Sequence, residues 1–416
     1  MLVKQYIPIK NLGKIVTGKT PSTKNPENFS RDIMFITPID LKQGYVLRYS
    51  DRYISKQGFD SIQANTISGI SVLVGCIGSD LGNVSIINAK CATNQQINAI
   101  TNIKKEYDPY YIYYWFCQKK AFLHNIAGNT TTPIINKTDF EDIIIDIPNL
   151  HIQNEITNIL KALDDKIEQN NKINAELEAT ARDLYNYWFI QFDFPDEFRR
   201  PYKSSGGKMV YNDVLKREIP EGWTVESIAN NKLSKILKPG IKQFNGQKIY
   251  LPTAAIENDR IIDTSNLITY DNREGRANME PVDNSVWFAK MKNTKKVLYF
   301  GDYSSQRISQ TILSTGMLGL KCVENALEYI WNFVNDDSFE AVKNKLSHGA
   351  TQEGVNNDDL LYFSMLIPSI ETLRDYSVLV KDLYKQKYFN EIENECLAEL
   401  RDFLLPMLMN GQVSVS

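Results

Sequence analysis

The most suggestive chemistry near the start of the chain is Gly13-x-x-x-x-Gly18-Lys19-Thr20, which has the residue types and spacing of a phosphate-binding loop. Such a loop leaves a strand and opens directly into a helix, because its backbone N–H groups and the helix N-terminus together hold the phosphates. Here Thr20 is followed by PSTKNPENFSRD, where Pro21 and Pro26 with Ser, Thr and Asn between them read as loop. No later segment offers the acidic residue at the end of an apolar strand that would hold magnesium. The nucleotide reading is set aside, and Gly18, Lys19 and Thr20 need another role.

Other catalytic constellations are equally incomplete. An amino-methyltransferase would need Asn/Asp-Pro-Pro-aromatic, and the nearest string, YDPYY at Tyr107–Tyr111, lacks the second proline and any glycine-rich cofactor turn before it. A nuclease could start at Pro195-Asp196, but no Asp/Glu-x-Lys follows nearby, and the DDK of Asp164–Lys166 sits inside a helical stretch. Cys76, Cys91, Cys117, Cys322 and Cys396 never form CxxC, and His124, His151 and His348 lie far apart, which argues against a disulfide framework or a zinc site. The expectation is a chain with no catalytic residues and no metal.

Binding chemistry is better represented. Contact with nucleic acid needs cations for phosphates, and Asn, Gln or Arg for base edges. Loops that combine them are TGKTPSTKN (Lys19, Thr20, Ser22, Lys24), GSDLGN (Ser79, Asn83) and TNQQ (Asn94, Gln95, Gln96). Further along come KPGIKQFNGQK (Lys238, Lys242, Gln243, Lys248), DNREGRAN (Arg273, Arg276) and KMKNTKK (Lys290, Lys292, Lys295, Lys296).

The elements that must carry these loops repeat. INKTDFEDIIIDIP at 135–148 aligns with VNNDDLLYFSMLIP at 355–368 at an offset of 220, and after each terminal proline a long helical pattern begins, Leu150 to Trp188 and Ile370 to Leu408. Each helix is about 39 residues, or about 58 Å long. Heptad registers put Asn170 and Asn174 in the seam of the first, Asn390 and Asn394 in that of the second, with Lys387 and Arg401 also at core positions. If the helices pack antiparallel, Asn170 meets Asn394 and Asn174 meets Asn390. Before each helix the chain is rich in β-branched and aromatic residues punctuated by Gly, Asn and Asp, which reads as strands and hairpins.

The expected class is α+β: a mostly β globule at 1–150, a helix at 151–190, a Pro/Ser/Gly-bearing linker at 191–212, a second globule at 213–368 and a second helix at 369–412. Residues 1–150 carry 16 Lys and Arg against 12 Asp and Glu, so the net charge of -3 conceals a basic first globule, as a polyanion reader requires. No apolar run approaches the roughly 18 residues of a membrane span. MLVKQYIPIK lacks the pattern of a secretory signal, so an intracellular, cytoplasmic protein is expected.

With these features in place, the strings TGKTPST, ITPIDL, TNQQINAI, IPNLHIQNEITNILKALDDKIEQNNKINAELEATARDLYNYWF and GGKMVYNDVLKREIPEGW closely resemble specificity subunits (the HsdS family) of type I restriction-modification systems. The resemblance implies two target-recognition domains, each reading half of a split double-stranded DNA site, with the paired helices fixing the gap. It implies partners too: two copies of a methylation subunit that uses S-adenosylmethionine, and a restriction subunit that uses ATP and Mg. This chain itself would hold no cofactor. A non-catalytic coiled-coil scaffold without DNA readout is the alternative.

Overall fold

A computed structural model describes residues 3–42, 44–128, 132–349 and 353–413. The chain forms two compact units that do not follow its order. The first combines residues 1–170 with 393–416, and the second is 171–392.

In the first unit the strands Lys14–Thr17, Ile97–Thr101, Ile70–Gly75, Val84–Asn88 and Val46–Leu47 form one sheet in that order. Its middle strands, ISVLVG and INAIT, are buried throughout apart from Ile70. The reason is that the sheet separates two cores. Val72, Val74 and Ile100 face the helix Pro109–Cys117, whereas Leu73 and Ala99 face a second core with Val16, Ile36 and Ile87. A smaller sheet, Tyr53–Ile54, Ile33–Ile36, Cys91–Thr93 and Thr66–Ile67, contains the parallel pair Phe35↔Ala92. The helix Pro109–Cys117 starts where it does because Asp108 accepts from the Tyr110 N–H (2.8 Å) and Pro109 occupies the first helical position. That is the role of the YDPYY string.

The second unit repeats this plan, except that its larger sheet has four strands and no counterpart of Val46–Leu47. Ser234–Ile236, Met317–Cys322, Ser285–Ala289 and Val297–Phe300 form the larger sheet, and Leu267–Ile268, Lys248–Leu251, Thr311–Ser314 and Ala277–Met279 the smaller, again with one parallel pair, Tyr250↔Ile312. Val286 and Phe288 point to one core, Trp287 and Ala289 to the other. Gln191–Asp213, linker-like in its Pro, Ser and Gly, is packed here. Phe192 and Phe194 are buried, Phe194 stacks on Tyr202 (4.7 Å) and Trp223 (4.8 Å), and Met209–Asn212 pairs with Arg217–Pro220. Its alternating aromatics outweigh its turn formers.

The two long helices are Leu150–Tyr185, which continues into a π-helical turn at Asn186–Ile190, and Ile370–Met409. Asn149 and Ser369 cap them, accepting from the N–H groups of Ile152 (3.1 Å) and Thr372 (3.1 Å). Within each unit the helix segments run antiparallel. In the first, Asn170 donates to Asn394 (2.9 Å) and to Glu393 (2.7 Å), and Arg401 donates to Asp164 (2.7 Å). In the second, Asn390 donates to Asn174 (2.7 Å) and Tyr376 donates to the carbonyl of Ala181 (3.3 Å). Asn170, Asn174 and Asn390 are buried, so a slipped register would leave amides without partners. The charged residues at core positions are neutralised in place: Arg401 by buried Asp164, and Lys387 by Glu178, Asp259 and Glu391.

Candidate nucleic-acid interface

After the strand Lys14–Thr17 the chain enters a loop, not a helix, and its glycine is a packing requirement. A Cβ on Gly18 would lie 2.1 Å from the carbonyl oxygen of Asn94. The Gly18 N–H donates to Ile97 (3.1 Å) and the Thr20 hydroxyl to the Gln95 side chain (3.0 Å), so the Gly18–Lys24 loop rests on the Asn94–Gln96 turn. That turn is closed by Asn94, whose Oδ1 accepts from the Gln96 N–H (3.1 Å) and whose Nδ2 donates to Gln96 Oε1 (2.9 Å). The N–H of Cys76 donates to the Gln96 carbonyl (2.8 Å), bringing in the Gly78–Asn83 loop. All three candidate loops of the first unit therefore share one end of its larger sheet. Lys19, Ser22, Lys24, Ser79 and Gln95 are exposed there. Asn83 is engaged internally, accepting from Lys120 (2.9 Å).

In the second unit the turn Ser314–Gly316 occupies the place of Asn94–Gln96. The N–H of Thr315 donates to Arg276 (2.8 Å) and that of Lys290 donates to Gly316 (2.9 Å), so this turn lies between two candidate loops. A third joins them: Gly240 donates to the carbonyl of Asn278 (2.9 Å). Lys238, Lys242, Gln243 and Arg276 are exposed; Lys248 lies over the Phe244 ring (4.9 Å) near Glu280 (3.6 Å), and Arg273 lies over Tyr270 (4.2 Å).

The lysines of KMKNTKK are differently placed. Lys292 pairs with Glu353 (2.6 Å), Lys295 with Asp337 (2.6 Å), and Lys296 donates to the Thr253 carbonyl (2.6 Å). Lys290 is half-buried, and burial pushes its pKa down. Their charge is directed largely into the fold.

Sequence reasoning passed over Lys343, which organises this loop. Its buried ammonium donates to the carbonyls of Ala289 (3.0 Å) and Thr294 (2.7 Å) and pairs with Glu340 (2.8 Å). The signal was its position one helical turn after buried Phe339, on the inward face of Asp337–Leu346.

Residues that suggested catalysis have structural roles. Asp164 of the DDK string accepts from Tyr114 (2.6 Å) and Arg401, and burial pushes the thiols of Cys76 and Cys91 up to about 12, far from a thiolate nucleophile. Among the described residues, no group of three or more His, Cys, Asp or Glu is placed to hold a metal, and no helix is long and apolar enough to cross a membrane.

Comparison with known proteins agrees with this layout. The family described as type I restriction modification DNA specificity domain matches residues 4–179. The MjaIX specificity subunit of a type I restriction enzyme from Methanocaldococcus jannaschii is 27% identical, over 98% of this chain and 93% of its own. The HindI specificity subunit from Haemophilus influenzae is 21% identical, over 68% and 72%. The crystal structure of a type I restriction-modification S subunit from M. genitalium covers 98% of this chain and 96% of its own at a TM-score of 0.56 and 14% identity, a likeness of fold.

Proposed function

From the premise that the chain belongs to the type I restriction-modification DNA specificity family, we propose that it is the subunit that reads DNA sequence and catalyses nothing itself. Each unit reads one half of a bipartite site through the loops at the end of its larger sheet. The long helices set the gap between the halves. The observation that carries this reading is the repetition: two sheets that share four strands in the same order, each with a turn, Asn94–Gln96 or Ser314–Gly316, flanked by cation- and amide-bearing loops. Two methylation subunits would dock on the helices and use S-adenosylmethionine on an adenine in each half-site, flipped out of the stack. A restriction subunit with ATP and Mg would complete an endonuclease in the cytoplasm, with the host DNA.

The test is to co-express the chain with its cognate methylation subunit and map methylated adenines in host DNA. A bipartite motif with a constant gap is expected. Normal methylation of no defined sequence, or a stable complex that methylates nothing, would leave only the scaffold alternative. The gap has its own check. Deleting seven residues from each helix, opposite one another, shortens each by about 10 Å; the gap should change or methylation should cease, and an unaltered gap would remove the helices from that role.

The lysines differ in what they can give to DNA. Replacing exposed Lys19 and Lys24 with alanine should lower the slope of log affinity against log salt by about 2, one phosphate contact each. Replacing Lys292 and Lys295, already paired with Glu353 and Asp337, should lower it far less. Equal slopes for the two double variants would contradict the assignment.

A further inference from the structure

Lys387 is 3% exposed, at the point where three parts of the second unit meet. Its ammonium contacts Glu178 on the first long helix, Asp259 (2.7 Å) in the turn between strands Ile256–Glu257 and Arg260–Ile261, and Glu391 (3.4 Å) on its own helix. Arg307, on the short helix Ser305–Gln310, adds a second cation 3.7 Å from Glu391. An ammonium has three N–H donors and three carboxylates surround this one. A buried ion cluster of this kind adds little stability over a well-packed apolar side chain. What it supplies is direction, because each donor has one place to point.

The turn held by Lys387 leads to the candidate interface. Asn258, next to Asp259, takes the left-handed conformation (φ 52°) that lets the hairpin close. Its carbonyl accepts from the Val297 N–H (2.8 Å), and its backbone bridges to Lys296, the last residue of KMKNTKK. Lys343 secures the rest of that loop through Ala289 and Thr294. The loop is thus referenced to both long helices through a single side chain.

We propose that Lys387 is a positioning residue for DNA reading by the second unit, holding the Asp259 turn and the Lys290–Lys296 loop in register with the helix pair so that discrimination at that half-site depends on it. This rests on the DNA-reading function proposed above. The experiment is methylation mapping with the full chain and its methylation subunit, comparing wild type with Lys387→Met, Lys387→Arg and Asp259→Ala.

Lys387→Met and Asp259→Ala should raise methylation of sites mismatched in the second unit's half, relative to the cognate site, by about tenfold, the effect of one base-pair contact. Discrimination in the other half should be unchanged, and Lys387→Arg should restore most of the loss. Should Lys387→Met fail to accumulate, Asp259→Ala decides alone, because Glu178 and Glu391 still neutralise the ammonium. Wild-type discrimination in both halves, or equal loss in both, overturns the proposal while the DNA-reading function stands. Absence of any motif with the wild-type chain removes that function, and this inference with it.

Discussion

Replacing Arg401 with methionine is expected to destabilise the first unit by about 3 kcal/mol, the lower end of the cost of removing one partner of a buried ion pair. Asp164 is 4% exposed and has two partners from outside its own helix: the Tyr114 hydroxyl (2.6 Å) and the Arg401 guanidinium (2.7 Å). Without the guanidinium a buried carboxylate remains, with one hydrogen bond from outside its helix in place of two. Methionine fills similar volume, so the loss should be electrostatic and not a cavity. Chemical denaturation gives the number, and Arg401→Met combined with Asp164→Leu isolates the pair. The double variant should recover most of the loss. A single-variant effect below about 0.5 kcal/mol, the scale of solvated pairs, would mean that water already screens the bridge.

Exchanging residues 1–150 for the equivalent stretch of a type I specificity subunit is expected to replace one half of the methylated motif and leave the other half and the gap as they were. The first unit places a condition on the exchange. Its globule is fastened to the helices by Tyr114 to Asp164, by Thr157 to Asp108 (2.6 Å), by Gln118 to the Leu405 carbonyl (3.2 Å), and by contacts from Tyr45 and Arg48 to Asp165 and Glu168. A donor that keeps hydrogen-bonding residues at these positions should give a working hybrid. One that lacks them should give a folded second unit and a loosened first. Methylation mapping of the hybrid reads the outcome directly, and a motif changed in both halves would contradict one reader per unit.

Local pattern carried the repeat and the amide pairs. The offset of 220 survives in segments whose spacing is tied to a strand, a proline and a helix, and Asn170, Asn174, Asn390 and Asn394 occupy seam positions that a 3.5-residue period exposes. Partners distant in the chain left no such mark. Lys387 and Arg401 spoiled the second seam as sequence, because Asp259 and Asp164, 128 and 237 residues away, are what make them compatible with burial. Cations in KMKNTKK could be counted, but not the Glu353 and Asp337 that occupy them. Composition misdescribed 191–212, where Phe192 and Phe194 decide the packing. Nor could order along the chain show that residues 393–416 belong with the first unit.

That last arrangement has a consequence for synthesis. The ribosome releases Asp164 long before Arg401, 237 residues later, an interval of about 10 to 50 s at ordinary elongation rates. Throughout it Ile156 and Leu160 lack Leu405, Leu408 and Met409, which share their core. The nascent first unit is therefore an unfinished surface awaiting its own C-terminus, and in a polysome the C-terminus of a neighbouring chain has the same shape. Premature termination anywhere before residue 393 leaves that surface without Leu405, Leu408 and Met409, and only another chain's C-terminus could then supply them.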